Sequence, residues 1–305
     1  ADMHYDFVPY PERQPLRWPD GKRLAIILTT NLEYWDPVRD TDEPYYPGGP
    51  SIVGGNLAGN VYDNPNYTWR EYGQRIGVWR IFDVLDAEGV PSSCTMNGKM
   101  ATERRPVIEA ALERGWEIVP HNYVQTELLT DHMFDEDAER EVIRRTPDIY
   151  EQVCGKKAKG WLSSSLRTTL NTVDILSEEG LIFTTDLLND DQPYLVQTRS
   201  GKPMVSVSYT SEVNDFSFLR QGLGAEGGLQ MFQEQFDWLY EESANSGRFM
   251  NIGLHPHVIG QPYRIRALRD FIRYAKSHKD IWWTTREEIA EWYLENHESH
   301  IPSES

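Results

Sequence analysis

Short, continuous apolar runs alternate along the chain with longer segments in which apolar residues recur every three or four positions. The runs are typical of strands buried on both faces, and the longer segments of amphipathic helices. LAIILTTN, from Leu24 to Asn31, is the first such strand. About seven strand and helix units follow one another without a serine- and glycine-rich linker. The pattern predicts an α/β fold in a single domain, and favours a distorted (β/α)₇ TIM-like barrel over an open doubly wound sheet.

The first predicted helix spans REYGQRIGVWRIFDVLDAEG, and Gly89 ends it. Its apolar positions predict a buried side made of Ile76, Val78, Trp79, Phe82, Val84 and Leu85. Pro106 suits the first turn of the next helix, and Gly115 closes that helix. A further helix is predicted from Asp135 to Cys154. The other main strands are predicted at VPSSCTMN, WEIVPH, LIFTTD, PMVSVSY, FMNIGLH and DIWWTT.

The proline-rich residues 1–23 are predicted to form an N-terminal arm along the surface. Residues 24–298 form the predicted barrel domain, and residues 299–305 a frayed tail. A long loop rich in glycine, proline and asparagine runs from Asp36 to about Asn66, directly after the first strand. We expect this loop to close a small pocket.

The formal net charge of -18 argues against nucleic acid and anionic membranes as partners, because their phosphates would repel the protein. No stretch approaches the roughly 18 apolar residues of a membrane span. The first residues show no basic region followed by an apolar one, so no secretory signal is visible. Cys94 and Cys154 lie among apolar residues, which is typical of reduced thiols. We therefore expect a cytoplasmic protein.

Three strands end in residues that can carry chemistry. Asn31 and Glu33 are two positions apart at the end of the first strand and share a face, His121 ends the third, and His255 follows FMNIGL. Each alone is equally explained as a cap, a turn residue or a hydrogen-bonded structural residue. A carboxylate directly after a buried strand is costly, however, unless it is paired, hydrogen-bonded or metal-bound. Because active sites of parallel barrels lie at the carboxyl ends of the strands, the coincidence of Glu33, His121 and His255 predicts a catalytic site there.

Other polar residues are less informative. Four histidines have polar flanks or fall off the strand period, and we expect them at the surface or behind the site: His132, His257, His278 and His297. Asn171 is predicted to cap a helix. Further strand-end candidates are Asn97, Arg167, Asp186, Asp190, Asp191, Glu212, Asn214 and Asp215.

Several motifs spread over nearly the whole chain resemble those of the polysaccharide deacetylase (NodB-homology) superfamily. They are WPDGKRLAI, NLE, EYGQRIGVWR, GWEIVPH, GWLSSSLRTTLNT, TDLLNDDQPY, SYTSEVNDF, FDWLYEE and IGLHPHVIGQPYR. The EYG, DDQPY and GLH segments resemble in particular the branch of cyclic imidases and allantoinase-like proteins. This resemblance implies a distorted (β/α)₇ barrel that hydrolyses a carbon–nitrogen bond.

In metal-using members of that superfamily the first strand supplies an acidic base and an acidic ligand, and the third supplies two histidines. The base position matches Asn31 and the ligand position Glu33, whereas the histidine pair matches His121 and Gln125. The general acid of the Leu-His motif matches His255. The resemblance also implies a homo-oligomer, either a dimer or a tetramer.

Two of these positions depart from the metal-using pattern. Asn31 cannot act as a base because an amide does not titrate, and Gln125 is a poor zinc ligand. Allantoinase-like members resemble this arrangement and are thought to work without a tightly bound metal. No cofactor is therefore firmly implied, although Glu33 and His121 leave room for one weakly bound divalent ion (Zn, Mn or Co). The motif arginine matches Arg167, in a segment longer than the family pattern.

The predicted activity is hydrolytic opening of a small cyclic amide such as an imide, a ureide or an allantoin-like ring. Glu33 would be the base, and His255 would protonate the departing nitrogen. Asn31 would hold water or the carbonyl group, and His121 would stabilise the oxyanion. The predicted substrate-binding residues are Gln125, Asp186, Asp190, Asp191, Arg167, Tyr34, Trp35 and Trp161.

Two alternatives remain open at the level of sequence. One is a metal-dependent N-deacetylase of an acetylated sugar or polysaccharide, which would need a metal and an open groove. The other is a catalytically inactive binding protein, because the usual base and the second histidine are both replaced. Measured hydrolysis of any ring amide would dismiss the inactive protein. An assay of ring amides beside chitooligosaccharides after incubation with a chelator would separate the two hydrolases.

Overall fold

The computed structural model describes residues 4–45 and 49–302. Its strands are β1 (Leu24–Leu32), β2 (Ser93–Met96), β3 (Glu117–Pro120), β4 (Gly160–Trp161), β5 (Phe183–Thr184), β6 (Tyr194–Val196), β7 (Met204–Ser206), β8 (Arg248–Leu254) and β9 (Ile281–Trp283). Its α-helices are α1 (Asn64–Tyr72), α2 (Val78–Glu88), α3 (Met100–Glu103), α4 (Arg105–Glu113), α5 (Glu136–Cys154), α6 (Thr172–Glu178), α7 (Phe216–Gln221), α8 (Ala225–Glu242), α9 (Ile265–Lys276) and α10 (Arg286–Asn296).

The strands form two arcs that face each other. One arc has the order β3-β2-β1-β8, with β9 also paired to β1, and the other has the order β4-β5-β7-β6. Only β6 runs antiparallel to its neighbour. The arcs meet at both edges, where Leu162 N donates to Pro120 O (3.1 Å) and Gly253 N donates to Val213 O (3.1 Å). The predicted single-domain α/β fold with a parallel, barrel-like sheet is confirmed.

Strands β1 and β8 run through the centre of the molecule, and every residue of both is buried. The polar side chains on them are paired, as burial requires: Thr29 Oγ1 donates to Asn251 Oδ1 (2.9 Å) and Thr30 Oγ1 bonds Ser92 Oγ (2.9 Å). The two strands pair in parallel register, with Thr30 opposite Leu254. The residues that follow them, Glu33 and His255, are therefore delivered to the same end of the barrel.

The first predicted helix starts earlier than expected, at Asn64, and contains a π-helical turn at Gly73–Gly77 between α1 and α2. Gly89 ends it in the left-handed conformation, with φ 65°. The prediction that Ile76 and Trp79 are buried is wrong, because they are 43% and 38% exposed. The π-helical turn holds one more residue than a regular turn, so it rotates the positions that follow it around the helix axis. The prediction assumed a regular helical period, which includes no such rotation.

Both ends of the described chain are anchored. Leu16 and Trp18 of the N-terminal arm are buried, and the Trp18 indole N–H donates to Arg248 O (2.9 Å). His300, in the segment predicted to fray, is fully buried. Residues 303–305 of the predicted tail lie outside the described residues.

Two simple properties of the described residues bear on the predicted class of protein. None of their helices has the length and apolar character needed to cross a bilayer. Cys94 and Cys154 are free thiols, and Cys94 is buried. The expectation of unpaired cysteines is confirmed.

Candidate functional site

A cavity of about 190 Å³ opens at the carboxyl ends of β1, β3 and β8. The five strand-end residues singled out by the sequence all line it: Asn31, Glu33, His121, Gln125 and His255. Gly49 and Pro50, from the long loop after β1, form part of its wall. The loop therefore closes the cavity in the way the sequence predicts, with residues 46–48 outside the described part.

Glu33 lies between two imidazole rings. Its Oε1 atom is 3.5 Å from His121 Nε2 and 3.6 Å from His255 Nε2, and its side chain is 7% exposed. Burial alone would raise the pKa of Glu33, but the charge of His255 and the two imidazoles hold it well below its usual value. The Oε2 atom has no hydrogen-bond partner among the described residues. Glu33 is thus an ionised carboxylate with one free acceptor atom.

His255 is fixed in place and charged. Its Nδ1 donates to Asp215 Oδ1 (2.7 Å), while Asp215 Oδ2 accepts from the backbone N–H groups of His255 (2.5 Å) and Ile259 (3.2 Å). Burial lowers the pKa of His255, but the charges of Asp215 and Glu33 outweigh burial and raise this pKa to about 9. The Phe216 ring stacks on the imidazole at a centroid distance of 3.6 Å. His255 therefore presents a proton on Nε2 to the cavity at neutral pH.

His121 is oriented by a backbone oxygen. Its Nδ1 lies 2.6 Å from Leu162 O, and a carbonyl oxygen can only accept, so Nδ1 carries a hydrogen. Its Nε2 faces the carboxylate of Glu33 at 3.5 Å and has no hydrogen-bond partner in the described structure. The carbonyl of Leu162 orients this ring in the same way that outer groups orient catalytic histidines.

The side-chain amide of Asn31 forms its hydrogen bonds with neighbouring protein atoms. Its Oδ1 accepts from Thr95 Oγ1 (2.9 Å), and its Nδ2 donates to Tyr209 Oη (2.8 Å) and Leu254 O (3.1 Å). These bonds leave no amide hydrogen for a water or a substrate carbonyl, the role predicted for Asn31. The geometry supports a positioning role instead.

The residues around Glu33 do not fit a firmly held divalent ion. Gln125 Oε1 accepts from Ser164 Oγ (3.0 Å) and Asn97 Nδ2 (3.3 Å), so this oxygen is already engaged. A metal would find only Glu33 and His121, beside the positive charge of His255. No set of three His, Cys, Asp or Glu side chains in residues 4–45 and 49–302 is placed to hold a metal.

The EYGQRIG motif places a helix backbone directly against the loop that carries His255. A Cβ atom on Gly77 would lie 2.0 Å from Pro256 O, and one on Gly73 would lie 2.5 Å from His257 N. Glycine is therefore required at both positions by close backbone packing, rather than by a positive φ angle. This packing fixes the direction in which β8 delivers His255.

His257 lies behind the site. It is buried, and its ring meets the ring of Trp69 edge-on at 4.5 Å between centroids. Burial holds the pKa of His257 well below its usual value, so the ring is neutral. Its ring centroid is 6.0 Å from that of His255, in agreement with the expectation of a place at the surface or behind the site, and His132, His278 and His297 are partly exposed.

Three predicted substrate-binding residues lie behind the cavity wall. Trp161 is fully buried, and its indole N–H donates to Ser163 Oγ (2.9 Å). Asp186 accepts from Ser163 N (2.7 Å) and Ser163 Oγ (2.8 Å), and burial raises the pKa of Asp186 to about 6. Tyr34 is buried outside the cavity, with the guanidinium of Arg104 5.2 Å from its ring. These contacts support the wall and leave none of the three facing a ligand.

Arg167 and Trp35 line an adjoining cavity of about 580 Å³. It shares Gly49, Gln125 and Ser165 with the smaller cavity, so the two are continuous. Arg167 therefore belongs to the outer approach rather than to the Glu33 cluster.

Asp190 and Asp191 are not brought into the site. Asp190 accepts two bonds from the Arg13 guanidinium, at 2.8 and 2.6 Å. The backbone oxygen of Asp191 accepts from Phe249 N, near the start of β8. His255 follows the end of that strand, about 20 Å away at the rise of an extended chain. They do not line the cavity at the strand ends, but they line a neighbouring cavity of about 380 Å³ that shares Tyr209 with it.

The cavity also contains residues that sequence reasoning left out of the predicted site: Tyr209, Asn214 and Phe216 line it, and Asp215 lies directly behind His255. Asn214 and Asp215 stood among the strand-end candidates, but nothing in the sequence pairs Asp215 with a histidine 40 residues away. A usable signal was available for Tyr209, since a tyrosine at the end of a buried strand requires a partner for its hydroxyl.

No protein-family model matches the sequence. A curated protein of Schizosaccharomyces pombe that carries the name of a polysaccharide deacetylase is 29% identical over 311 residues, which cover 92% of this chain and 93% of that protein. The match extends over nearly the full length of both chains.

Two solved structures are similar to the whole chain. The crystal structure of a probable polysaccharide deacetylase from Pseudomonas aeruginosa is 31% identical and has a TM-score of 0.83, covering 94% of this chain and 95% of that one. The crystal structure of PuuE allantoinase is 30% identical and has a TM-score of 0.86, covering 100% of both chains. With this fold, this extent of similarity and the polar cluster at the carboxyl ends of its strands, the chain belongs to the polysaccharide deacetylase superfamily.

Proposed function

We propose that this protein is a hydrolase that opens a small cyclic amide, such as a cyclic imide or a ureide. The observation that carries the proposal is the placement of Glu33 between the imidazoles of His121 and His255 in a cavity of about 190 Å³. Ligand cavities commonly measure about 300–1,000 Å³, so this one suits a compact ring better than a polymer.

Two unpartnered atoms beside the cavity favour the binding of a nucleophilic water. Glu33 Oε2 and His121 Nε2 lack partners in the described structure, and both residues line the cavity. A water that donates one hydrogen to Glu33 Oε2 keeps a lone pair free on its oxygen. A ring carbonyl placed opposite would receive that lone pair, which is the geometry required for attack.

In the proposed reaction, the water oxygen forms a bond to the carbonyl carbon while a water proton passes to Glu33. The π electrons move onto the carbonyl oxygen, which becomes an oxyanion. When the oxyanion collapses, the bond between carbon and nitrogen breaks, and the nitrogen takes a proton from His255 Nε2. The product is a ring-opened acid. The proton on Glu33 then passes to His255, whose Nε2 is 3.6 Å from Glu33 Oε1, and this transfer restores the starting state of the site.

The comparisons support the chemistry at two levels. The deacetylase names of two relatives and the allantoinase name of the third all describe hydrolysis of a carbon–nitrogen bond outside peptides. The allantoinase resembles the present chain over its full length, and its name describes a ring amide as substrate. The poor fit of a metal to Glu33 and His121 also favours the cyclic amide.

N-deacetylation of an acetylated sugar is the second candidate. The adjoining cavity of about 580 Å³ favours it, because that volume would accept a sugar ring beside an acetamide bound near Glu33. The names of the two deacetylase relatives point in the same direction.

A substrate panel separates the two candidates. Succinimide, maleimide, hydantoin and allantoin are assayed beside acetylated chitooligosaccharides, before and after treatment with a chelator, with Glu33→Gln as the blank. We expect ring opening that persists after chelation and is lost in the blank. Release of acetate without any ring opening would instead favour the deacetylase.

A further inference from the structure

The hydroxyl of Tyr209 receives two hydrogen bonds from side-chain amides. Asn31 Nδ2 donates to Tyr209 Oη at 2.8 Å, and Asn214 Nδ2 donates to it at 3.0 Å. Tyr209 is 8% exposed and lines the cavity that contains Glu33. Both acceptor directions of the phenol oxygen are therefore filled from the protein side.

The orientation of both amides is set by backbone atoms that have only one hydrogen-bonding role. Asn31 Nδ2 also faces Leu254 O (3.1 Å), a pure acceptor. Asn214 Nδ2 faces Thr210 O (3.1 Å), and its Oδ1 accepts from Phe216 N (3.1 Å). Neither amide can be turned over without placing two acceptors or two donors together.

The strand beside Tyr209 leaves space for this arrangement. A Cβ atom on Gly253 would lie 2.4 Å from Asn214 Nδ2 and 2.5 Å from Tyr209 Oη. Any side chain at this position of β8 would displace the hydroxyl or the amide. The close approach of the hydroxyl to the end of β8, next to His255, depends on this glycine.

With both acceptor directions filled, the hydroxyl can act only as a donor toward any further partner. Within the described residues, its proton bonds to no protein acceptor, and Tyr209 lines the cavity that contains Glu33. We propose that the Tyr209 hydroxyl donates to the oxygen of the carbonyl group that is hydrolysed, and stabilises the oxyanion that forms there. This inference rests on the proposed hydrolysis and assigns one of its steps to a new residue.

This assignment completes the polarity of the site. Tyr209 donates to the carbonyl oxygen, Glu33 accepts a proton from the attacking water, and His255 donates to the departing nitrogen. A buried donor aimed at the position where charge develops stabilises the transition state more than the ground state. Its loss should therefore lower kcat with a smaller effect on KM.

The test combines one substitution in the protein with one change in the substrate, from oxygen to sulfur in the reacting group. Tyr209→Phe removes the hydroxyl and keeps the ring, and the substrate pair is succinimide with dithiosuccinimide, or the corresponding pair for the ring that is opened fastest. Sulfur is a poor hydrogen-bond acceptor. A donor to the reacting oxygen therefore assists the oxygen substrate far more than the sulfur substrate.

We expect Tyr209→Phe to lower kcat for the oxygen substrate by about 10²-fold or more, the usual effect of removing one oxyanion donor. For the sulfur substrate the loss should be at least tenfold smaller, so the ratio of the two rates falls at least tenfold. General damage from the unpaired amides of Asn31 and Asn214 lowers both rates alike and cancels in the ratio. Tyr194→Phe, in a separate cavity where Tyr194 Oη donates to Asn189 Oδ1 (2.7 Å), is the matched control and should leave the ratio unchanged.

A second variant turns the hydroxyl away without removing it. Asn31→Asp replaces a donor beside Tyr209 Oη with an acceptor, which should draw the tyrosine proton out of the cavity. We expect the ratio of oxygen to sulfur rates to fall in this variant as well.

The outcomes distinguish the two proposals. A wild-type protein that opens rings, with the same ratio of rates in Tyr209→Phe, overturns the role of Tyr209 and leaves the proposed function standing. If the wild type releases only acetate, the same test is run with acetamide and thioacetamide forms of the sugar, and an unchanged ratio there again overturns the assignment. Absence of hydrolysis of every substrate overturns both.

Discussion

Two buried polar clusters lie at opposite ends of β8, and they differ in how their atoms are paired. The proposed catalytic cluster, after the end of the strand, contains Glu33 and His121, each with an unpartnered atom. The cluster before its start, here called the N-terminal cluster, contains Arg13, Asp190, Gln192, Tyr293 and His300. There His300 Nδ1 accepts from Tyr293 Oη (2.9 Å), and His300 Nε2 donates to Gln192 Oε1 (3.0 Å).

The N-terminal cluster borders a cavity of about 630 Å³, which is larger than the catalytic cavity. Neither cavity volume nor the burial of polar groups therefore identifies the site. Satisfied polar groups stabilise a fold, whereas a buried acceptor without a partner is retained at a cost of about 1–3 kcal/mol and calls for a ligand. The difference predicts that substitutions in one cluster change rate and those in the other change stability.

Glu33→Gln should give the largest effect. An amide cannot accept the water proton, so kcat should fall by about 10³-fold, within the range for loss of a general base. The free energy of unfolding should fall modestly, because the lowered pKa of Glu33 means that the folded protein favours the ionised carboxylate. Steady-state kinetics beside thermal unfolding measure both, and a stable variant with near-normal turnover would contradict the role of Glu33.

Asp215→Asn should lower kcat by about 10²-fold, because His255 loses the carboxylate that orients and charges it. In the wild type, the raised pKa of His255 keeps its proton in place up to about pH 9, so activity should be lost as the pH rises through that value. In the variant this alkaline limit should move to lower pH. The exposed neighbour Glu212 provides the control Glu212→Gln, whose pH profile should match the wild type.

Arg13→Ala should act on stability alone. The side chain of Asp190 is about a tenth exposed, and the substitution removes its two hydrogen bonds from the guanidinium. The free energy of unfolding should therefore fall by about 2 kcal/mol. The control Arg105→Ala removes an exposed pair with Glu109 and should cost less than about 0.5 kcal/mol. A fall in kcat for Arg13→Ala at a temperature where the variant is folded would erase the distinction between the clusters.

His300 gives the smallest effect, which appears only at acid pH. Burial lowers the pKa of His300 to about 4, so as the pH falls below about 6.5 the unfolded chain takes up a proton that the folded chain does not. Stability should therefore be full above pH 6.5 and fall by about 2 kcal/mol between pH 6.5 and 4.5. Denaturant unfolding at several pH values should show a shallower decline for His300→Gln.

The sequence predicts the fold and the centre of the site for the same reason. Continuous apolar runs locate the strands, and a carboxylate or histidine directly after such a run must have a partner or a function. Glu33, His121 and His255 share this signal, and the parallel topology brings the three into one cavity.

The remaining site residues depend on distances that no local pattern contains. Asp190 and Asp191 follow a predicted strand, but the chain turns into the antiparallel β6 beyond them and they face the N-terminal arm. The role of Tyr209 follows only from the directions of two amides on different segments, Asn31 and Asn214. The exposure of Ile76 reflects a π-helical turn that a regular helical period cannot show.

The glycine contact between the π-helical turn and Pro256 has a consequence for how this enzyme can diversify. The wall of the cavity that carries His255 rests on backbone packed against backbone at Gly73 and Gly77. No side chain there can be exchanged to enlarge or reshape the cavity without displacing His255. New substrate ranges in such a scaffold should therefore arise from other parts of the wall, such as Leu162 and Leu166, which line the cavity with ordinary side chains.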